Sequence, residues 1–123
     1  MMEQQDNFEK IKTLFQNYVP PMTVRIDSET RYDLYSEKEV ELLGRKYKEI
    51  YFGSAILKPK YTGLYFMPIY IFPELLKDIP DSLKKIQTGK SCFHIKKSDD
   101  ELFDNIEKLI KSGFDMYKKH KYV

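Results

Sequence analysis

The sequence predicts an α+β fold in which N-terminal and C-terminal helices pack on one face of a mostly antiparallel five-stranded sheet. Three observations lead there. Helical periods of apolar residues open and close the chain, period-two alternation and short apolar runs fill the middle, and turn residues separate those runs at hairpin intervals. A chain of 123 residues has room for one core and buries roughly two thirds of its unfolded surface, so residues 1–123 read as a single domain.

Phe8, Ile11, Phe15 and Tyr18 recur at i, i+3, i+7 and i+10 with Leu14 beside them, which predicts an amphipathic helix over residues 4–18. Pro20-Pro21 ends it. Met22, Val24 and Ile26 then alternate with Thr23, Arg25 and Asp27, and after Asp27-Ser28-Glu29 the pattern resumes as Tyr32 and Leu34 against Arg31, Asp33 and Tyr35. This is a hairpin whose strands each have one dry face. Residues 36–48 are rich in Glu and Lys around Gly44 and read as a loop, or as a short helix through Val40, Leu42 and Leu43.

From Ile50 to Leu57 and from Leu64 to Ile71 nearly every position is apolar or aromatic, with Lys58-Pro59-Lys60 as the turn between. Two central strands, dry on both faces, are the expectation. Pro73 and Glu74 open a short helix through Leu75 and Leu76, since proline suits the first helical position, and another begins near Asp81. After the break at Thr88-Gly89, Phe93 and Ile95 alternate with Cys92, His94 and Lys96 in a fifth strand.

Ser98-Asp99-Asp100-Glu101 has the form of a capping box with Ser98 as cap, starting a helix that reaches about Lys119. Leu102, Ile106, Leu109, Gly113 and Tyr117 share its apolar face. Glycine there costs about 1 kcal/mol relative to alanine, so Gly113 implies close backbone approach to the sheet.

Composition narrows the function. Hydrophobic residues at 41% and charged residues at 33% exclude a disordered or fibrous chain. The net charge is +2, with 8 basic and 10 acidic side chains in residues 1–50 and 13 and 9 in residues 51–123. That field is too weak to argue for nucleic acid or an anionic membrane. The single cysteine, Cys92, excludes an internal disulfide and fits a reducing compartment. The polar start, Met1-Met2-Glu3-Gln4-Gln5-Asp6, lacks the features of a signal peptide, and no apolar run approaches the ~18 residues of a membrane span. A cytoplasmic protein is expected.

Met67-Pro68-Ile69-Tyr70, then Pro73-Glu74-Leu75, then Gly89-Lys90-Ser91-Cys92-Phe93-His94-Ile95-Lys96-Lys97 ahead of an acidic helix start, form an ordered series of blocks. On these, the chain from about Ile50 to Tyr117 resembles the YdhG-like domain family of small bacterial proteins. The resemblance implies a domain similar to the frataxin arrangement of two helices against an antiparallel sheet. It also implies an alternative role, because some members look like intracellular iron chaperones. In frataxin-like proteins that activity is associated with acidic side chains on the first helix and the adjoining strand edge. The matching acids here are Glu3, Asp6, Glu9, Asp27 and Glu29, with Lys10, Lys12, Arg25 and Arg31 among them.

Three constellations bear on chemistry. Gly89-Lys90-Ser91 ends like a phosphate-binding loop, but Lys84 stands where the motif requires glycine and a strand follows where a helix should. Cys92 and His94, two apart on a strand, project from one face and supply two metal donors of the four a structural site needs. As nucleophile and base the same pair lacks an orienting carboxylate or amide and an oxyanion loop. No catalytic residue, metal site or cofactor is therefore expected.

The remaining signal is the sheet's second face. With a three-residue loop at Lys58-Pro59-Lys60, Leu57 pairs with Tyr61, which sets Gly53 opposite Tyr65 and Tyr51 opposite Met67. A tyrosine ring over glycine makes a shallow aromatic hollow, with Cys92, His94 and Lys96 on its rim. Such a face is either a second core, covered by residues 36–48 or the short helices, or a surface for a small molecule, a protein partner or a homodimer. A one-residue change of register would remove Tyr65 and Met67 from the hollow and insert Phe66. The expected function is a non-enzymatic binding module using Tyr51, Gly53, Tyr65, Met67, Cys92, His94 and Lys96.

Overall fold

The computed structural model describes residues 2–123. Helix α1 (Met2–Gln16) is followed by strands β1 (Thr23–Asp27) and β2 (Arg31–Ser36), a small hairpin of β3 (Val40–Leu42) and β4 (Arg45–Tyr47), and the long strands β5 (Ile50–Leu57) and β6 (Thr62–Phe66). Helix α2 (Met67–Ile71), a 3-10 turn (Pro73–Asp78) and helix α3 (Asp81–Lys84) lead to β7 (Gln87–Thr88), β8 (Cys92–Ile95) and helix α4 (Asp100–Lys119). The main sheet is antiparallel throughout in the order β1-β2-β5-β6-β8-β7. It has six strands rather than five, because Gln87 and Thr88 pair back on Phe93 and Cys92 before the turn at Gly89.

Both long helices cover one face. Phe8, Ile11 and Phe15 of α1 and Ile106, Ile110 and Tyr117 of α4 are fully buried, as are Leu34, Leu64, Phe66, Phe93 and Ile95 from the sheet. Each such side chain contributes roughly 1.5–3 kcal/mol relative to its exposed state. The hairpin expected from residues 22–35 forms, but its alternation fails at two places: a register shift between Val24 and Ile26 leaves Ile26 exposed, and Asp33 is buried; the segment 36–48 is a third reading that its charge concealed. Its strands turn through Leu43 and Gly44, both at positive φ (54° and 78°), the backbone of a tight two-residue hairpin.

Two expectations about the central strands are corrected. Lys58 N–H donates to the Tyr61 carbonyl at 3.0 Å, so the turn is the two-residue Pro59-Lys60, and Leu57 pairs with Thr62 instead of Tyr61. Proline favours this arrangement because its fixed φ suits the first central position of a turn. The second strand also stops at Phe66. Pro68 has no N–H for the ladder but fits a helix's first turn, and Met67 therefore opens α2.

The start of α4 is held from α1. Glu3 accepts the Ser98 backbone N–H at 3.0 Å and Lys10 donates to the Ser98 hydroxyl at 2.8 Å. Gln4 donates its side-chain amide to the Lys96 carbonyl at 2.8 Å, and its own carbonyl accepts from Thr62 at 2.8 Å. With Ser98 occupied, the cap is Asp99, whose carboxylate accepts the Glu101 N–H at 3.0 Å. The cap thus sits one residue later than the sequence suggests, and the expected capping box does not form, because Leu102 stands where a reciprocating Glu or Gln would be needed.

Gly113 lies where its position on the helix wheel predicted. A Cβ there would stand 2.3 Å from Cζ of Phe66 and 2.8 Å from Cβ of Pro68, and Phe66 is fully buried with no room to withdraw.

Two stability measurements follow. Asp99→Ala should lower stability by about 0.5–2 kcal/mol through loss of the cap, while Ser98→Ala, which removes only an exposed bond, should stay within about 0.5 kcal/mol of wild type; equal denaturant midpoints for the two variants would contradict the cap. Gly113→Ala should destabilise by about 1–3 kcal/mol, since overpacking against Phe66 outweighs the gain in helix propensity, and a rise in midpoint would show that this contact is not tight.

Candidate functional site

The face of the sheet turned from the helices is organised by one irregularity in β5. Leu34 pairs with Gly53 and Tyr35 with Tyr51, which leaves Phe52 unmatched in a β-bulge. A bulge sends two successive side chains to the same side. Phe52 enters the helix-side core, and a Cβ on Gly53 would meet the Phe15 ring at 2.8 Å. Tyr51 and Ser54, on either side of this pair, face the other way, and their hydroxyls hydrogen-bond each other.

Next to the bulge, the Tyr51 carbonyl takes a partner from the helix layer. Tyr117 of α4, fully buried, donates its hydroxyl to that carbonyl at 2.7 Å. An unpaired carbonyl at this depth would cost about 1–3 kcal/mol.

On the outer face Ser54, Tyr65 and Cys92 lie in register across β5, β6 and β8, with Gly63 beside His94 two pairs along. The Tyr65 ring lies over Gly63, where a Cβ would come within 2.8 Å of it. Tyr61 stacks on His94 with centroids 3.9 Å apart and planes inclined by 18°. Tyr35 leans on Tyr51 at 5.2 Å, and Arg31 donates to the buried Asp33 carboxylate at 2.9 Å. Tyr35, Tyr51, Tyr61, Tyr65, Cys92 and His94 are each partly buried. The rings cover Ser54 and Asp33 while keeping surface of their own, and residues 36–48 fold as a hairpin beside this face.

Burial pushes the Tyr51 phenol well above its ordinary pKa, against the opposing pull of the Ser54 hydrogen bond. Tyr65 is raised mainly by burial and further by the adjacent Cys92. Both phenols therefore stay protonated near neutral pH, able to donate and accept hydrogen bonds. Arg31 is held charged by its hydrogen bond to Asp33.

Beyond Tyr51 a cleft of about 380 Å³ opens between the β3–β4 hairpin and α2. Leu42, Leu43 and Tyr47 form one wall, Met67, Tyr70 and Ile71 the other, and Ile50 and Tyr51 the floor. A larger cavity of about 600 Å³ lies on the helix side, between the 3-10 turn, α3 and α4. It touches none of the candidate residues, so size alone does not select it.

Four of the seven residues expected at the site, Tyr51, Tyr65, Cys92 and His94, share the outer face. Met67 sits at its end, in the cleft. Gly53 is on the helix side because of the bulge, and the glycine beneath Tyr65 is Gly63, two residues back on the same strand. Lys96 falls beyond the last residue of β8 and is exposed. Tyr35, Ser54 and Tyr61 were missed. The alternation in β2 does put Tyr35 on the face of Arg31 and Asp33, and with Leu57 opposite Thr62 the last pair before the turn is Lys58 with Tyr61.

Among the described residues no group of three or more His, Cys, Asp or Glu is placed to hold a metal ion. Of the acids matched to the iron role, Asp27 pairs with Lys12 at 2.8 Å and Glu3 is engaged by Ser98. Among the same residues no helix is long and apolar enough to cross a membrane. Set against models of known families, curated proteins and solved structures, the chain has no match.

Tyr117→Phe keeps the ring packing and removes one hydroxyl. It should cost about 1–3 kcal/mol for the carbonyl left unpaired and should alter the near-ultraviolet circular dichroism of the tyrosines. An unchanged denaturant midpoint would mean that the Tyr51 carbonyl is satisfied in another way.

Proposed function

We propose that this chain is a non-catalytic binding module, a YdhG-like domain of the cytoplasm, that takes a flat, largely apolar small molecule on the aromatic face of its sheet. The observation that carries the reading is the layer of partly buried rings, Tyr35, Tyr51, Tyr61, Tyr65 and His94, on the face of the sheet opposite the one that α1 and α4 cover. Tyrosine suits such a role, since its ring supplies contact area and its hydroxyl fixes orientation at small entropic cost. Phenols held neutral by burial serve recognition better than proton transfer. The lone Cys92 supports a reducing compartment, and two helices over an antiparallel sheet support the family placement.

Tyr65→Ala separates binding from packing. With indole as a flat aromatic probe, the resonances of Tyr61, Tyr65, Cys92 and His94 should move saturably in the wild type, and the response should be lost in the variant. The variant should cost less than about 1.5 kcal/mol in stability, because the ring is partly solvated. A loss of ~3–5 kcal/mol, the cost of truncating a core aromatic, together with no probe response in the wild type, would make the face a second core and overturn the reading.

A further inference from the structure

Charge is spread unevenly along the aromatic face. At the Tyr35 end the Arg25 guanidinium lies over the Tyr35 ring at 5.4 Å and is shared by two carboxylates, Glu37 at 3.3 Å and Glu49 at 2.8 Å. That end is net negative. In the middle Arg31 and Asp33 neutralise each other. At the Tyr61 end Lys58 faces Tyr61 across the Pro59-Lys60 turn, and Lys96 follows Ile95, the residue of β8 that pairs with Thr62. Alternation therefore brings Lys58, Tyr61 and Lys96 to the side of the sheet that carries His94.

Lys58, Lys60 and Lys96 are exposed, and among the described residues none of them forms an ion pair. The acid set against them is Glu29, in the β1–β2 turn that meets Leu57 through the Thr30 carbonyl. Glu3, Asp99 and Asp100 belong to α1 and the start of α4, in the helix layer. The Tyr61 end is thus net positive, and its charge is free to act on a ligand.

We propose that the aromatic face selects flat rings that carry an oxyanion, a carboxylate or a phosphate, with the ring on Tyr65 and the Tyr61–His94 stack and the anion between Lys58 and Lys96. The two lysines stand two strand spacings apart, roughly 10 Å, a span that extended lysine side chains close over Tyr61. Opposite charge at the Tyr35 end orients the same ligand by repulsion. This inference rests on the ligand reading above and narrows it to a chemical class.

Indole, indole-3-carboxylate, indol-3-yl phosphate and tryptamine share one ring system and differ in charge. At low salt both anions should bind the wild type about tenfold more tightly than indole, the scale of two exposed ion pairs, with tryptamine weaker than indole. Rising salt should erase the preference, and the anion that gains more identifies the oxyanion. Lys58→Gln combined with Lys96→Gln should bring both anions to the affinity of indole while indole binding and circular dichroism stay unchanged. Lys118→Gln combined with Lys119→Gln removes the same charge from the end of α4 and should change nothing. Anions no tighter than indole, a preference that survives loss of Lys58 and Lys96, or an equal loss in the α4 variant each overturn this proposal and leave the ligand reading standing. A wild type that binds none of the four probes overturns both.

Discussion

The bulge at Phe52 is the constraint on which the rest of the structure depends. By turning two successive residues of β5 toward the helices, it places the Phe52 ring within 5.1–6.2 Å of Phe15, Tyr18, Phe66, Phe114 and Tyr117. Each aromatic pair is worth about 0.5–1.5 kcal/mol beyond its buried area. These terms share one ring and do not add freely. Gly53 completes the device, since any side chain there would meet Phe15 or the Tyr65 carbonyl. The core on one side and Tyr51 on the other are thus set by the same extra residue.

The sequence shows the parts of this fold that obey a single period. Phe8, Ile11 and Phe15 announce α1, the alternation through Leu34 announces β2, and Gly113 on an apolar helical stripe announces its contact with the sheet. What it conceals are departures from period. A bulge changes the parity of every later residue in its strand, so alternation could not place Gly53. The hairpin at Lys58–Tyr61 admitted two loop lengths with the same residues, and hydrogen bonding at the turn decided between them. Met67-Pro68 has apolar neighbours on both sides and reads as strand until the missing proline N–H is considered. Val40 to Tyr47 pairs Glu41 with Lys46 on one face of its hairpin, a pattern that a charged loop would show equally well.

The outer face illustrates how a sheet can remain uncovered without leaving its polar groups stranded. Tyrosine rings lie down over Ser54, Asp33 and Gly63, and each buried oxygen finds a partner in Tyr51 or Arg31. A second helical layer would bury more apolar area but would also fill the surface on which recognition depends. One-sided solvation of this kind is ordinary for antiparallel sheets, and here it is achieved with aromatic side chains in place of charged ones.

The polar ties between the start of α1 and the approach to α4 have a consequence for how the chain matures on the ribosome. Gln4 meets Lys96, and Glu3 and Lys10 meet Ser98, so residues made first are secured by residues made some ninety positions later. Translation at roughly 5–20 residues per second keeps α1 waiting for seconds with its apolar stripe uncovered. During that interval the nascent helix presents Phe8, Ile11 and Phe15 to whatever is near the exit tunnel, and chaperone engagement at this early segment is a demand that the topology itself creates.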